Sequence, residues 1–412
     1  MTLSPFHRLL IGRIFTNAAD SIYFIISSLY IFEITQSPLI SGFTTSAMLA
    51  VKFIQILYGP IIDHFNVKRI LIFSQCSQSI LMMILGIFVM NQNNHWLLII
   101  TLVVLSMLCG EMSYPISNKL VPQLLSKEEL VKGNAQMTFA NNTLDIILNT
   151  VIAGLFITMN ADIFYLISAM LFLFAALSYF QIPMVNHTKI KDSSKFNYFK
   201  SFSSGNRIVA SSFIWIFIIG AFSVNIGIGI VYGALPTLAH EIENPVYYGL
   251  FLATMSIGMI LSTFIAGKFK SKPLGKLMIF LFVTAGLTIL TGLFISLPFY
   301  LMFYCISWII VGIANILLVS VNQSIIPNEY LARVSSVSNS IGILGLPLGS
   351  ILAGILLEYI SAIQLISLSG ICYFVLSLLW LLIPTLRNQK EIKYIASTDF
   401  GIKITNQTEH QF

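Results

Sequence analysis

Apolar runs of about 20 residues recur along almost the whole chain, with only short polar breaks between them. A helix of that length spans the hydrocarbon of a bilayer, so the pattern predicts a chain that lies mostly inside a membrane. The composition agrees, because only 9% of the 412 residues are charged, whereas a soluble protein has about a quarter. The pattern leaves no room for a soluble domain.

Breaks at polar, Gly and Pro residues divide the chain into twelve predicted spans. The longest break separates six spans from six, so we predict an all-α integral membrane protein with two pseudo-symmetric six-helix halves. Its parts are an N-terminal half at 1–183, a basic linker at 184–208, a C-terminal half at 209–386 and a tail at 387–412. The predicted spans are 9–32, 39–62, 70–90, 96–117, 133–158, 163–183, 209–235, 246–267, 277–296, 299–320, 337–357 and 364–384.

Lys and Arg residues collect on one side of these spans. If both termini lie inside, every Lys and Arg except Arg13 and Lys52 falls in an inner segment, and the outer loops carry only acids. Because cytoplasmic loops hold an excess of Lys and Arg, we predict a multi-pass plasma-membrane protein with both termini cytoplasmic. The net charge of +6 is then a topology signal, and no nucleic-acid partner is expected.

A repeat relates the two halves of the sequence. The segments 120–157 and 324–358 both place a Pro after a span, then an inner loop, then a span that ends on an Ala-Gly pair. Duplicated six-span halves are the usual plan of secondary transporters, whose site lies where the halves meet.

The stretches "GRIFTNAADSIYFIISSLYIFEITQSPL" and "YGPIIDHFNVKR", together with the repeated blocks, resemble the major facilitator superfamily. They look most like its bacterial efflux branch, which includes macrolide exporters and the enterobactin exporter. The resemblance runs from about Arg8 to Leu386. It implies the major facilitator fold, alternating access and a monomer.

The second stretch resembles the superfamily's signature loop between spans two and three, through Gly59, Asp63, Lys68 and Arg69. In the family this loop is a cytoplasmic latch between the halves. Asn66 replaces a usual Gly, and we expect it to keep the turn by adopting a left-handed backbone. Alternatively, Lys68 and Arg69 only anchor the loop to the inner leaflet.

Ionisable residues inside predicted spans are costly and therefore functional candidates. Asp20 and Lys52 come out at similar depth near the midplane, whereas Arg13 can snorkel to the inner surface. Asp20 resembles the acid of the family's first span, which makes it the first candidate for proton coupling. A static Asp20–Lys52 ion pair that locks two helices is the alternative. Glu111 in span four stands as a substitute for the Arg of many proton-coupled exporters, or it reaches the interface or Lys119.

Span five carries a polar stripe at helical spacing, formed by Asn134, Thr138, Asn142, Asp145 and Asn149. The stripe faces either a polar cavity, which the charge of Asp145 favours, or a hydrogen-bonded neighbouring helix.

The C-terminal spans hold no ionisable residue, so Asn225 and Asn315 are their main polar candidates. Aromatic and Met side chains there either cradle an amphipathic substrate or face lipid. In span eleven, Gly345, Pro347 and Gly349 predict a helix bend.

With these features, the resemblance to the efflux branch implies proton-coupled export of an amphipathic small molecule, such as a macrolide or a siderophore, with the proton gradient as energy source and no cofactor. Uptake of a small nutrient stays open, since direction is not written in the helices. A membrane enzyme or receptor is the remote alternative, because the six His residues show no metal-ligand or catalytic spacing. We expect the tail after Leu386 to be loosely ordered.

Overall fold

A computed structural model describes residues 4–54, 66–92, 94–125, 148–183, 214–326 and 340–396, with isolated positions within 126–147 and 327–339. In this part of the chain the regular structure is helical, without strands. The helices are α1 (Pro5–Thr35), α2 (Pro38–Ile54), α3 (Val67–Met90), α4 (Trp96–Gly110), α5 (Ser113–Leu124), α6 (Ala161–Phe180), α7 (Ile214–Glu241), α8 (Val246–Ile265), α9 (Leu274–Leu290), α10 (Leu297–Ile325), α11 (Gly345–Leu356), α12 (Ala362–Leu368), α13 (Ile371–Leu382) and α14 (Pro384–Arg387).

Within the described ranges, nine helices are long and apolar enough to cross a membrane, and two shorter apolar helices accompany them, Pro38–Ile54 and Ser340–Leu356. The predicted all-α membrane fold is therefore confirmed. The nine long and two shorter helices correspond to eleven of the twelve predicted spans. The remaining one, predicted span five, is described as continuous helix only at 148–155, so the predicted number of twelve is compatible with the structure.

Helix α1 begins earlier than the apolar run suggests. Ser4 caps it by accepting a hydrogen bond from the backbone N–H of His7, and Pro5 occupies its first turn. At the other end Gln36 takes a left-handed conformation with φ 48° and donates its N–H to the Phe32 carbonyl. The cap and the proline extend the helix four residues beyond the predicted start.

Helix α3 begins at the second half of the signature-like loop. The Asn66 side-chain oxygen accepts the N–H groups of Lys68 and Arg69 at 3.0 and 3.3 Å. Asn66 has φ −66° and ψ 111°, so the predicted left-handed backbone is wrong, and its role is that of a helix cap. Gly59 and Asp63 lie outside the described residues.

The chain divides into two compact units. Unit 1 comprises 1–191, 229–256 and 347–365, and unit 2 comprises 192–228, 257–346 and 366–412. Four of the passages between them fall inside helices α7, α8, α11 and α12. The division into six and six helices stays a prediction about the sequence.

The beginning of the tail is ordered. Helix α14 is followed by a 3-10 turn, Ile392–Tyr394, and Gln389 and Ile395 are buried. The expectation of a loosely ordered tail is therefore wrong for 387–396, because this segment packs on the start of α9.

Candidate functional site

Asp20 is the central residue of α1 and lies in a cluster of polar side chains within unit 1. It interacts with the side chains of Tyr23 and Gln78, and Arg13 and Glu111 contribute the charges around it. Tyr23 is almost fully buried and Gln78 completely so. Asp20 itself is half-buried, so its carboxylate has a few defined neighbours and keeps part of its surface exposed.

Arg13 lies inside the protein and does not snorkel. Only 7% of its surface is exposed, and its Nη1 donates a hydrogen bond to Ser113 Oγ at 3.2 Å. The predicted escape to the inner surface is therefore wrong. Arg13 instead provides positive charge for Asp20 from the same helix, and it holds the start of α5.

Lys52 stands at the end of α2 and is exposed. Together with Arg13 it contributes positive charge near Glu111. The structure records no salt bridge between Asp20 and Lys52, both of which it describes, so the static pair considered from sequence is not found. Similar depth on two helices did not bring these side chains together, because depth does not determine which way each helix face points.

A chain of buried polar groups leads through the cluster and was not predicted. Thr16 Oγ1 donates to Gln75 Oε1 at 2.8 Å and lies 3.3 Å from the Tyr179 hydroxyl. Gln75 Nε2 in turn donates to Gln78 Oε1 at 3.0 Å. The Nε2 atom of Gln78 is buried, and the Gln78 side chain interacts with Asp20. These groups connect α1, α3 and α6.

One signal could have revealed this chain. Gln75 and Gln78 are three residues apart in an otherwise apolar span, a spacing that places both amides on one helix face. On α4, Gly110 has no room for a Cβ because the Gln78 side chain lies against it. Small size at this position lets α4 approach the amide.

Glycine contacts join helices from both halves of the sequence at the predicted outer end, all within unit 1. A Cβ on Gly42 would lie 2.7 Å from the Ser350 carbonyl oxygen and 2.8 Å from Gly354 Cα. A Cβ on Gly249 would meet the backbone of Asn149 and Thr150. Helix α2 thus packs backbone to backbone on α11, and α8 on 148–155.

Asn149 was predicted to face a cavity or a neighbouring helix. The structure places its backbone against α8, at a residue that is glycine. Asn142 and Asp145, the other members of the stripe in the predicted site, lie outside the described residues.

Aromatic contacts extend the same end of unit 1. The rings of Phe24 and Tyr232 have centroids 6.0 Å apart, and those of Phe32 and His240 are 5.2 Å apart. Helix α1 therefore packs along the second part of α7. These contacts and the glycine contacts together close the predicted outer end around α1, α2, α7, α8 and α11.

Unit 2 contains a cavity of about 290 Å³ between α7, α8, α9, α10 and α13. Its wall is apolar, with Trp308, Trp380 and Met259 among the lining residues, and its polar side chains include Asn225 and Asn315. Among the described residues of the lining, none carries a charge. Such a wall suits an uncharged, partly aromatic group that offers one or two hydrogen bonds.

Asn225 also fastens α7 to the segment before α11. Its Nδ2 donates to the Gly342 carbonyl at 3.0 Å. Gly345 lies so close to α7 that a Cβ would be 2.9 Å from the Asn225 Cβ. The helix is interrupted by a turn at Leu344, three residues before Pro347, and Gly349 is buried in α11. The bend itself stays a prediction.

The two basic residues of the signature-like loop lie at the start of α3. Lys68 Nζ lies 5.4 Å from the centroid of the Phe180 ring at the end of α6, and Arg69 is exposed. A latch across the halves depends on Asp63, so that role stays a prediction. Among the described residues, no three His, Cys, Asp or Glu side chains are grouped as metal ligands.

The family of the protein follows from its sequence as a whole. A model of the Major Facilitator Superfamily matches residues 9–350. The chain belongs to this superfamily. It is accordingly a multi-pass membrane transporter of small molecules and not an enzyme.

Solved major facilitator structures share its fold. The nucleoside transporter NupG matches with TM-score 0.72 at 15% identity, over 92% of this chain and 98% of that one. A bacterial homologue of the iron transporter ferroportin, in an inward-facing state, gives 0.71 at 15% identity, over 92% and 98%. A bacterial homologue of the human lysosomal transporter Spinster gives 0.70 at 13% identity, over 92% and 96%. No curated protein matches the sequence significantly.

Proposed function

We propose that this major facilitator transporter exports an amphipathic small molecule in exchange for protons, by alternating access. The observation that carries the proposal is the Asp20 carboxylate at the centre of α1, beside the buried guanidinium of Arg13. A charge near the middle of a bilayer costs free energy, so a carboxylate at this position is a candidate for a functional role.

The neighbours of Asp20 are suited to a group that gains and loses a proton. The Asp20 carboxylate lies among one basic and one acidic side chain, Arg13 and Glu111, and two uncharged polar ones, Tyr23 and Gln78. Binding a proton or a cationic substrate group at Asp20 therefore changes the charge of the whole cluster.

The apolar cavity of unit 2 supports an amphipathic substrate. The described part of its wall offers aromatic surface and two amides but no charge. A sugar or a highly charged metabolite would lose its water there without replacement, whereas the apolar or aromatic part of an amphipathic molecule has little bound water to lose.

The contacts at the predicted outer end support alternating access. In the described structure α2 packs on α11 and α8 on 148–155 through backbone contacts at glycines. Release of a substrate to the outside requires these contacts to separate. We further propose that the protein is a monomer in the plasma membrane with cytoplasmic termini, and that it uses the proton gradient without a cofactor.

The test is intracellular accumulation of labelled compounds, namely a macrolide, a lipophilic cation and a carboxylate siderophore. Cells carry the wild type, Asp20→Asn or Asp162→Asn, with and without a protonophore. Asp162 provides the matched control because it makes the same chemical change in the first turn of α6.

The proposal expects lower accumulation with the wild type, abolished by the protonophore and by Asp20→Asn but not by Asp162→Asn. Higher accumulation that is still sensitive to the protonophore would establish uptake instead. Accumulation that is unchanged by the protonophore would contradict proton coupling while leaving the direction measurable.

A further inference from the structure

The first part of the tail, 387–396, packs on the start of α9. The backbone N–H of Leu274 donates to the Lys390 carbonyl at 3.0 Å, and that of Gly275 donates to the Gln389 carbonyl at 3.3 Å. Amides in the first turn of a helix have no partner within the helix. The carbonyl groups of the tail accept hydrogen bonds from these two amides, and the hydrogen bonds hold the tail segment against α9.

The packing at this junction is close. A Cβ on Gly275 would collide with the backbone carbonyls of Leu386 and Arg387. Leu386 is fully buried, and Gln389 is 7% exposed with its Nε2 donating to the Thr385 carbonyl at 2.8 Å. The segment 384–395 is therefore an integral part of unit 2.

The junction concentrates positive charge. It brings the tail cations next to those that precede and begin α9, and all of them are exposed. Glu391 is the acid within 266–276 and 384–396, and it pairs with Lys393 at 3.3 Å. The remaining cations form what we call the cationic surface: Lys268, Lys270, Lys272, Lys276, Arg387 and Lys390.

The cationic surface lies at the termini of three apolar helices. Val246–Phe269 and Ala362–Leu382 end there, and Leu274–Leu293 begins there. Its side chains are thus at the level of the lipid headgroups. Tyr394, which is 61% exposed, adds an aromatic group of the kind that prefers this interface. Basic clusters beside spans attract anionic lipids.

We propose that the cationic surface binds the headgroups of anionic phospholipids in the leaflet at this end of the protein. Without the hydrogen bonds to α9, the tail would not hold Arg387 and Lys390 at one place. The hydrogen bonds to α9 instead hold them beside Lys272 and Lys276, so that several cations face one headgroup layer. The proposal is independent of the substrate and of the direction of transport.

The experiment uses the full-length protein in a neutral detergent, titrated with phosphatidylglycerol or phosphatidylcholine, with bound lipid counted by native mass spectrometry. Lys390→Gln is compared with Lys403→Gln, which removes the same charge from the same tail beyond the docked segment. We expect Lys390→Gln to weaken phosphatidylglycerol binding about fivefold, the effect of roughly one surface cation. Lys403→Gln and phosphatidylcholine binding should not change.

Gly275→Ala provides a second variant, because it keeps every charge and disturbs only the docking. It should weaken phosphatidylglycerol binding as Lys390→Gln does. Equal binding by the wild type and Lys390→Gln would overturn the proposal, whatever the state of Gly275→Ala. Inorganic phosphate that displaces the lipid at equal concentration would also overturn it, since the site would then recognise phosphate and not a lipid surface.

Discussion

The hydroxyl of Ser350 donates a hydrogen bond to the Gly42 carbonyl at 2.9 Å, across 308 residues of sequence. The bond lies at the place where α2 and α11 touch through their backbones. Ser350 also faces Gly233, because a Cβ added at Gly233 would lie 2.8 Å from the Ser350 Oγ. One serine thus connects three helices at the predicted outer end.

Gly42→Ala tests this contact. The added methyl would meet backbone atoms of Ser350 and Gly354, which cannot turn aside as a side chain can. We expect the closed arrangement to lose about 1–3 kcal/mol, seen as a lower melting temperature and slower transport. Gly267→Ala is the matched control, because nothing lies within 4 Å of its Cβ. Equal melting temperatures for the two variants would contradict the role of this contact.

Gln78→Leu tests the buried polar chain. It removes the acceptor of the Gln75 amide, and an unsatisfied buried donor costs about 1–3 kcal/mol. We expect the protonophore-sensitive part of transport to fall, because the environment of Asp20 changes. Gln123→Leu, at an exposed position of α5, serves as control. Transport by Gln78→Leu that matches the control would show that the chain is only structural.

Asn315→Leu tests the cavity of unit 2. Loss of one hydrogen bond to a substrate should raise KM about three- to tenfold for compounds with a carbonyl or hydroxyl group. Purely apolar compounds should bind as before, because the wall keeps its apolar character. Asn388→Leu, an exposed change in the tail, is the comparison. A uniform change in KM for all compounds would count against a direct contact.

Glu241→Ala tests the start of α12. Both carboxylate oxygens of Glu241 lie 3.1 Å from the Ala362 backbone N, which donates to them. Losing an acidic cap costs about 0.5–2 kcal/mol, so the melting temperature should fall. Glu358→Ala removes an exposed acid from the neighbouring loop and should leave it unchanged. A fall of the same size in both variants would mean that general charge, and not capping, is responsible.

The sequence predicted those features that each helix carries by itself. Apolar length located the spans, and Asp20 stood out because a charge in an apolar run is visible without any partner. The helix start at Pro5 was missed by four residues, since a Ser-Pro cap lies outside the apolar run.

Relationships between helices were harder to predict. The neighbours of Lys52 and Arg13 depend on helix rotation, which span depth does not provide. Gln75 and Gln78 were not predicted, because an uncharged amide costs less inside a span than an acid and is therefore a weaker signal of function. The docking of the tail depends on amides at the start of α9 that have no acceptor within the helix. These amides lie more than 100 residues before the tail in the sequence, so the tail sequence alone does not predict the docking.

The passages between the two units have a mechanical consequence. In α7, α8 and α12 the chain crosses within a helix and not through a loop, and in α11 it crosses in the first turn. Such crossings have no slack, so any rearrangement must flex a helical rod at the crossing. In α7 that point lies directly before Gly229, and in α11 directly before Pro347, the residue types at which a helix yields most easily.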